Sequence, residues 1–578
     1  MPWLRGQLAG EAGTRECGVV EALLDAHRFR DLVVDLPTQK PALLRQLLLP
    51  IVIDAIGLPA DRAEWAAVFA AGRFTDEHRD RITNYLGSHR HLFDLFSPVE
   101  PFGQVADLHT AKNETKGAAL LVATAATGNN VPLFSSRTEA DPLELTPAQA
   151  AHWLLHTHCW DTASIKTGVV GDPQVKSGKT TGNPTGPLGQ LGVVLPVGRT
   201  LFETLMLNLP AEGKPAPDDL PQWRRRDRAG EPWKTRSVAT PAWQTRNPTG
   251  LLDLLTWQSR RIRLFPEQTT DGIRVSRVIV AAGDRLEQIP DIEPHTAWII
   301  DPPSGAKKKA GGAARLPRPR RHQPGKAAWR GLEALLAIDW QDVEATKTRA
   351  GFRTSRLLDA LRVRQHHMPD GYPLQVELTG ISYGTQSAVI EDILHDSIPL
   401  PLTALDPYSL TFTSLLGVAD QAERLANAVN NLSADLRRAA GAEPIPWDKG
   451  QRPGETLLHA LDPLVRRLLA GLRQVGEDFD EAERGLLAWE RAAARQTWLV
   501  AEQLIATAAP GVFAGRTITK DGKDRTYRLS SAETAFRSQL DTVLTRLATE
   551  HDNDAPGPEE APSVPAPRHE NPHVPIEG

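Results

Sequence analysis

One segment of this 578-residue chain limits how it can fold more than any other. Residues 166–192 contain seven glycines and three lysines and lie between two apolar elements. A backbone with so few side chains can approach a polyanion closely, because the missing Cβ atoms leave the N–H groups accessible. Structureless connections above about 12–15 residues are usually functional or disordered. We therefore expect a loop that contacts phosphate or nucleic acid, with a surface loop of no function as the alternative.

Part of this segment matches a nucleotide-binding P-loop, G-x-x-x-x-G-K-[ST]. Gly178, Lys179 and Thr180 supply the last three positions, but Pro173 occupies the position of the first glycine. Pro184 follows too soon for the helix whose N-terminus would hold a phosphate. The pattern therefore does not predict ATP binding.

The charge of the chain is unevenly distributed. The net charge is only -5, yet residues 302–332 contain nine lysines and arginines and no acidic residue. This clustering of positive charge indicates that one surface of the protein binds a polyanionic partner. The alternative interpretation is a basic loop that is simply solvated.

Cysteine content and hydropathy indicate the compartment. The two cysteines, Cys17 and Cys159, provide neither a disulfide framework nor a four-cysteine zinc site. The most apolar run, residues 47–58, contains Asp54 and is shorter than the ~20 residues that span a bilayer. We expect a cytoplasmic protein without a membrane partner.

Periodicity predicts an α+β fold. Helices are expected at residues 40–57, 75–96 and 146–160, the last with a capping box formed by Thr146 and Gln149. Alternating apolar residues before and after residues 380–387 predict a hairpin whose tip exposes Thr385 and Gln386.

The apolar periodicity of the C-terminal part predicts long amphipathic helices. At residues 516–528 the sequence predicts a basic hairpin that turns at Asp521 and Gly522. We expect a large mixed N-terminal domain with long functional loops at residues 1–400 and a four-helix bundle at 401–551. An acidic, proline-rich and disordered tail is expected at 552–578.

Tryptophans and arginines alternate between residues 221 and 265. Two interpretations remain open. The aromatic rings could stack on unpaired bases, or they could lie in the core with the arginine stems packed over them.

No catalytic motif is complete. His152 and His156 lie four residues apart, but Trp153 stands where a metalloprotease has its glutamate. With His158, Cys159 and Asp161 nearby, a structural metal remains one hypothesis. The chain offers loops and charge rather than a reactive centre, which favours binding over catalysis.

Several segments, taken in order, resemble the CasA family, the large subunit of the type I-E CRISPR surveillance complex Cascade. They are residues 101–104, the loop around Phe134, the glycine-rich stretch leading into residues 200–209, Trp257-Gln258 with residues 262–264, and residues 382–390. The resemblance runs from about Lys40 to the last C-terminal helix.

The resemblance implies a non-catalytic subunit without cofactor or metal. It implies that the chain inspects duplex DNA for a protospacer-adjacent motif, starts strand separation for the guide RNA and helps recruit a separate nuclease-helicase. The implied partners are double-stranded target DNA and a guide-RNA ribonucleoprotein that contains CasB, CasC, CasD and CasE.

The resemblance also implies site residues. Gln386, with Gly384, Thr385 and Ser387, matches a glutamine wedge that enters the duplex. The glycine-rich stretch matches a loop that contacts the motif from the minor groove, aligned either through residues 168–178 or through residues 182–192. The remaining implied DNA contacts are Lys176, Lys179, Gly186 and Gly189 in this stretch, Phe134 and Ser135 in the motif-sensing loop, and Lys307, Lys308, Lys309 and Arg285 as backbone contacts.

Two other functions remain as alternatives. A metal-dependent nucleic-acid hydrolase would use the basic surface and the histidine group. A purely structural scaffold subunit would use the C-terminal helices for protein contacts alone.

Overall fold

A computed structural model of the chain describes residues 2–125, 142–210, 216–225, 240–301, 316–337, 351–446, 452–476, 478–520 and 523–554. The helices in these ranges are α1 (Val19–Leu24), α2 (Gln39–Leu43), α3 (Leu49–Ile56), α4 (Arg62–Ala70), α5 (Asp76–Ser88), α6 (Pro147–Trp160), α7 (Leu201–Leu207), α8 (Leu251–Leu255), α9 (Leu332–Leu336), α10 (Arg356–Arg364), α11 (Leu410–Ala439), α12 (Pro453–Val475), α13 (Phe479–Ala506), α14 (Gly511–Ala514), α15 (Leu529–Val543) and α16 (Thr545–Asp554). A π-helical turn, Leu44–Leu48, joins α2 to α3.

The strands of the described ranges are mostly short. They are β1 (Leu4–Leu8), β2 (Thr14–Cys17), β3 (Phe29–Leu32), β4 (Lys116–Gly117), β5 (Lys166–Thr167), β6 (Lys179–Thr180), β7 (Val193–Val197), β8 (Thr245–Arg246), β9 (Arg260–Thr269), β10 (Gly272–Ala282), β11 (Arg285–Leu286), β12 (Trp298–Ile300), β13 (Arg318–Pro319), β14 (Gly351–Arg353), β15 (Gln375–Tyr383), β16 (Ile390–Pro399), β17 (Arg516–Lys520) and β18 (Lys523–Tyr527). The mixed α+β class predicted from periodicity is confirmed.

The sheets are small and mainly antiparallel. Their strand orders are β2-β1-β3, β4-β10-β9, β13-β12-β14 and β16-β15-β7, with the two-stranded pairs β5-β6, β17-β18 and the parallel β8-β11. The sheet β16-β15-β7 joins the predicted hairpin to the glycine-rich stretch, because β7 follows that stretch directly in the chain.

Local sequence signals explain several helix starts. Thr75 accepts a hydrogen bond from the backbone of His78 at 3.2 Å and begins α5. At the start of α6, Gln149 N–H donates to Thr146 Oγ1 at 3.3 Å and Thr146 N–H donates to Gln149 Oε1 at 3.0 Å, which confirms the predicted capping box. The expected helix at residues 75–96 is shorter than predicted, since α5 ends at Ser88 and a 3₁₀ turn, Arg90–Phe93, follows it.

The chain divides into two compact units, one of residues 1–419 and 465–485, the other of 420–464 and 486–578. The sequence instead placed this division at residue 400. In the first unit the apolar core includes Trp65, Trp160, Trp257 and Phe202, all with less than 2% of their surface exposed.

Helices dominate the second unit. Trp489 and Phe536 are buried, and the Glu490 carboxylate, with 0% exposure, accepts bonds from Gln421 Nε2 at 2.8 Å and Leu547 N–H at 3.0 Å. The helix predicted from about Ser530 to Glu550 is instead two helices, α15 and α16, which are separated by Leu544. The C-terminal helices are present, and their arrangement as a four-helix bundle stays a prediction.

The basic hairpin expected at residues 516–528 is confirmed in its two strands, since β17 and β18 pair from Arg516 and Tyr527 to Lys520 and Lys523. The predicted turn residues, Asp521 and Gly522, lie outside the described residues. Helix α16 continues to Asp554, so the first three residues of the predicted tail are helical. Within the described ranges, every helix is too short or too polar to cross a bilayer.

Candidate nucleic-acid interface

A two-stranded projection, termed the finger, is formed by β15 and β16 (residues 375–399). Its strands pair from Gln375 and Pro399 to Tyr383 and Ile390, and β7 pairs with the other edge of β15. Ile381 packs with Trp160 and Leu188 in a buried apolar cluster. One side of the finger is thereby fixed to the core of the first unit.

The tip of the finger, residues 384–389, is a tight turn. Ser387 N–H donates to Gly384 O at 2.8 Å, and Gly384 N–H donates to Val389 O at 2.9 Å. Gln386 and Ser387 have φ of 55° and 53°, a left-handed conformation that costs non-glycine residues about 1–2 kcal/mol. Thr385 and Gln386 are exposed, as the sequence predicted. The turn therefore presents the Gln386 side chain to solvent from a defined backbone conformation.

The first half of the glycine-rich stretch forms a second small hairpin. β5 pairs with β6, and the Lys176 and Lys179 backbones bond each other in both directions, at 2.9 and 3.1 Å. Between them Ser177 and Gly178 have φ of 50° and 71°. Two successive positive φ values characterise the type I′ turn. We term residues 176–179 the lysine turn, because the Lys176 and Lys179 side chains at its two corners are exposed.

The base of the lysine turn is anchored by Asp172. Its carboxylate accepts from Thr180 Oγ1 at 2.6 Å and from Trp243 Nε1 at 2.9 Å. A strand rather than a helix follows Gly178, which agrees with the exclusion of a P-loop.

The second half of the stretch is packed rather than exposed. Gly186 and Gly189 are buried, and a Cβ atom at Gly186 would lie 2.3 Å from Cys159 O. At Gly189 it would lie 2.4 Å from Tyr383 Oη. The expectation that these two glycines contact DNA is therefore corrected, since they instead allow close packing against the end of α6 and against Tyr383, the residue before the fingertip. Of the two alignments considered, the exposed one contains the lysine turn.

Three charged residues form a buried cluster between the finger and the lysine turn, here termed the charge cluster: Asp161, Lys166 and Arg260. Lys166 Nζ lies 2.5 Å from Asp161 Oδ2, and Arg260 Nε bonds the same oxygen. Arg260 Nη2 also donates to Thr162 O and to Pro184 O, both at 2.8 Å. The cluster thus links α6, β5, β9 and the packed half of the glycine-rich stretch.

The electrostatics follow from two cations that share one carboxylate. Burial alone would raise the pKa of Asp161, but Lys166 and Arg260 hold it at about 2. Burial and repulsion from Arg260 lower the pKa of Lys166 to about 8, although the negative charge of Asp161 acts in the opposite direction. Asp161 is therefore ionised at neutral pH and holds the other two members in place.

The charge cluster is connected to the fingertip through residues 160–166. Ala163 N–H donates to Ser387 O at 2.8 Å, and Tyr383 Oη donates to Trp160 O at 2.6 Å. Lys166 also begins β5, which pairs with β6, the strand that leaves the lysine turn. The fingertip and the lysine turn are therefore positioned by one buried structure.

Arg285 lies beside this structure and is half-buried. Its Nη2 donates to Thr181 O at 2.9 Å and to Asn183 Oδ1 at 3.2 Å, and its guanidinium lies 4.0 Å from the centroid of the Trp243 ring. The sequence proposed Arg285 as a contact to the DNA backbone. In the structure it supports the glycine-rich stretch.

The described tryptophans between residues 221 and 265 belong to the core. Trp223, Trp243 and Trp257 are 5%, 2% and 1% exposed, and the Arg246 guanidinium lies 4.0 Å from the centroid of the Trp257 ring. The core interpretation is confirmed for these three residues, and base stacking by them is excluded.

The histidines of α6 do not converge on a shared site. His152 Nε2 bonds Trp3 O at 2.7 Å, His156 Nε2 bonds Thr38 Oγ1 at 3.0 Å, and His158 Nε2 bonds Gly103 O at 2.9 Å. Burial lowers the pKa of His156 and His158 to about 3. No group of three metal-ligating side chains occurs in the part of the chain that the structure describes. This arrangement argues against the hypothesis of a metal-dependent nucleic-acid hydrolase, which relied on these histidines.

Other predicted contacts fall outside the described residues: Phe134, Ser135, Lys307, Lys308 and Lys309. The roles of Lys166 and Arg260 in the charge cluster were not predicted. Lys166 stands before a glycine-rich run, which is a weak local signal, and the sequence does not indicate that Arg260 meets Asp161.

Comparison with known proteins gives consistent findings. The family model for CRISPR-associated protein Cse1 matches residues 1–500. The CRISPR-associated protein CasA/Cse1 of Thermus thermophilus is 29% identical over 531 residues, which covers 88% of this chain and 92% of that protein.

Solved structures show the same fold. Thermobifida fusca Cse1 superposes with a TM-score of 0.77 at 33% identity, covering 94% of this chain and 97% of that one. A chain of a CRISPR RNA-guided surveillance complex superposes with a TM-score of 0.58 at 20% identity, covering 88% and 98%. These findings confirm the resemblance identified in the sequence. The chain belongs to the CRISPR-associated Cse1 family, also named CasA, the large-subunit family of type I-E Cascade.

Proposed function

We propose that this chain inspects duplex DNA within an RNA-guided complex and starts strand separation beside a protospacer-adjacent motif. The observation that carries the proposal is the exposed Gln386, held at the end of a hairpin that packs against a buried apolar cluster. Membership of the Cse1 family and the fold shared with a chain of an RNA-guided surveillance complex support it.

The chemistry of Gln386 suits a wedge. Its amide both donates and accepts hydrogen bonds, so it can replace part of what a base pair loses on opening. Unstacking one step costs a few kcal/mol, whereas the RNA–DNA heteroduplex that follows roughly balances the DNA duplex it replaces. The main free-energy barrier to strand separation is therefore the opening of the first base pair. A subunit that lowers only this barrier controls strand separation without catalysing a chemical reaction.

The lysine turn supplies a second contact. The minor groove presents mainly acceptors and distinguishes base pairs coarsely. The two exposed lysine side chains at the corners of a type I′ turn match such a surface. This arrangement predicts tolerance of several motifs, with an affinity that falls as salt rises.

The same proposal includes partners. The chain would assemble with CasB, CasC, CasD, CasE and a guide RNA, and it would help recruit a separate nuclease-helicase after the strands open. In this account it contributes no reactive centre, cofactor or metal of its own.

The test uses the assembled complex and duplexes with and without the motif. Gln386→Ala should slow opening of the motif-bearing duplex at least tenfold, measured by fluorescence of a base analogue beside the motif. Gln386→Asn keeps an amide in a residue that favours left-handed backbone, so it should retain part of the activity. Gln503→Ala, an exposed glutamine on α13, is the matched control.

Two outcomes would contradict the proposal. Opening rates that are the same for Gln386→Ala and the unmodified complex would remove the wedge. A complex that opens motif-bearing and motif-free duplex alike would instead favour a scaffold role for this subunit.

A further inference from the structure

A second surface of the finger borders a basic cleft. The cleft is about 240 Å³ and is lined on one side by residues 320–331 and on the other by the finger residues Leu378, Leu394 and Asp396. Gly380 pairs with Leu394 and Leu378 pairs with Asp396 across β15 and β16, so these residues share one face. The neighbouring Ile381 belongs to the apolar cluster on the opposite face.

Arg320 enters this cleft with unused hydrogen-bonding capacity. Among the described residues, no acceptor takes a hydrogen bond from its guanidinium, and no carboxylate forms an ion pair with it. It lies 5.8 Å from the centroid of the Phe352 ring and packs over Gly331, where a Cβ would lie 2.8 Å from Arg320 Nη1. Burial lowers the pKa of Arg320, and only the Glu333 charge opposes this. A half-buried guanidinium of this kind is suited to an anion.

A second cation borders the cleft, since Lys326 is exposed at its rim. Asp396 is compensated, because Arg466 Nη2 bonds both of its oxygens at 2.8 and 2.9 Å and Ala328 N–H donates to it at 2.7 Å. His322 Nε2–H donates to Val193 O at 2.9 Å, and burial lowers the pKa of His322 to about 4, so it is neutral at pH 7.

The cleft is tied to the proposed DNA-inspecting elements by the backbone. Gly192 N–H, at the end of the glycine-rich stretch, donates to Arg320 O at 3.1 Å. Leu394 of β16 lies five residue steps along the chain from Val389, the last residue of the tip. At about 3.3 Å per residue this is roughly 16 Å, or about five base-pair steps of duplex DNA.

We infer that this cleft binds a backbone phosphate of the DNA about five nucleotide steps from the base pair that the fingertip opens. The inference rests on the proposed function and adds a site to it. Arg320 supplies a planar donor pair and Lys326 a point charge, while the apolar floor of Leu378 and Leu394 excludes water from one side. A phosphate held here would fix the register of the strand relative to Gln386.

The test compares Arg320→Gln and Lys326→Gln in the full complex with Arg30→Gln and Lys112→Gln, exposed residues outside the cleft. Each cleft variant should weaken binding of motif-bearing DNA about tenfold at low salt and reduce the slope of log affinity against log salt by about one. The controls should leave both quantities unchanged. Lys326 is exposed, so its variant tests the cleft even where loss of Arg320 disturbs folding.

A second measurement locates the phosphate. Neutral methylphosphonate linkages are placed singly along each strand on both sides of the motif. In the unmodified complex, affinity should fall when the neutral linkage lies about five steps from the opened pair, and in Lys326→Gln the same linkage should have no further effect.

The outcomes separate this inference from the proposed function. If the unmodified complex opens motif-bearing DNA but no single linkage couples to Arg320 or Lys326, the cleft assignment alone is overturned. If the variants lose guide RNA rather than DNA affinity, the ligand is RNA and the DNA assignment is wrong. If the unmodified complex does not discriminate the motif, the proposed function itself fails.

Discussion

Replacing Asp161 by asparagine tests whether the charge cluster holds the fingertip in place. The carboxylate bonds Lys166 Nζ at 2.5 Å and Arg260 Nε, and both cations are almost fully buried, at 6% and 1% exposure of their side chains. Asparagine keeps the shape and removes the charge. Two buried cations then lose the anion that they share.

The size of the effect can be worked from the structure. The fall in the pKa of Asp161 from its usual 3.8 to about 2 corresponds to about 2.5 kcal/mol. Leaving a buried partner uncompensated costs about 3–5 kcal/mol in comparable cases. Because the pKa of Lys166 is already about 8, Lys166 loses its proton in the variant and limits the cost. We expect Asp161→Asn to lower the free energy of unfolding by about 3 kcal/mol.

The pH dependence has a defined sign. The folded-state pKa of Asp161 is depressed, so its stabilisation is present above the unfolded pKa near 3.8 and is lost as the pH falls through about 2. The stability difference between the unmodified chain and Asp161→Asn should therefore shrink between pH 4 and pH 2.

The assay combines urea unfolding of the full chain with hydrogen exchange of residues 160–166 and 384–389. Asp107→Asn, an exposed aspartate, is the control and should change stability by less than about 0.5 kcal/mol. Lys166→Met should cost stability in the unmodified chain and little or none in Asp161→Asn, because its partner is then already gone. Stability within about 1 kcal/mol of the unmodified chain, with unchanged exchange at both segments, would refute the reasoning.

Two further predictions concern the same interface. Tyr383→Phe removes the hydroxyl that donates to Trp160 O at the end of α6. The backbone amides of residues 384–389 should then exchange faster, and the finger should lose about 1–3 kcal/mol of local stability. Unchanged hydrogen exchange would show that the hydroxyl does not hold the tip. Lys176→Gln and Lys179→Gln should each reduce the salt slope of DNA binding by about one if each contacts a phosphate. An unaltered slope, equal to that of Lys112→Gln, would remove the lysine turn from the interface.

The sequence by itself determined the features that depend on neighbours along the chain. They are the caps at Thr75 and Thr146, the antiparallel hairpin with exposed Gln386, and the pairing of β17 with β18. All follow from spacing, alternation and turn chemistry within about a dozen residues. The family resemblance was also available from the sequence, since it depends on the order of short segments.

Only the tertiary structure decided which half of the glycine-rich stretch is exposed. A high glycine content is expected both where a backbone approaches a ligand and where it packs against another backbone, so it does not distinguish the two cases. At Gly186 the group that excludes a side chain is the carbonyl of Cys159, which belongs to a separate element. The charge cluster was hidden for the same reason. Asp161 and Arg260 are 99 residues apart, and their charges acquire a structural role only when folding removes water from around them.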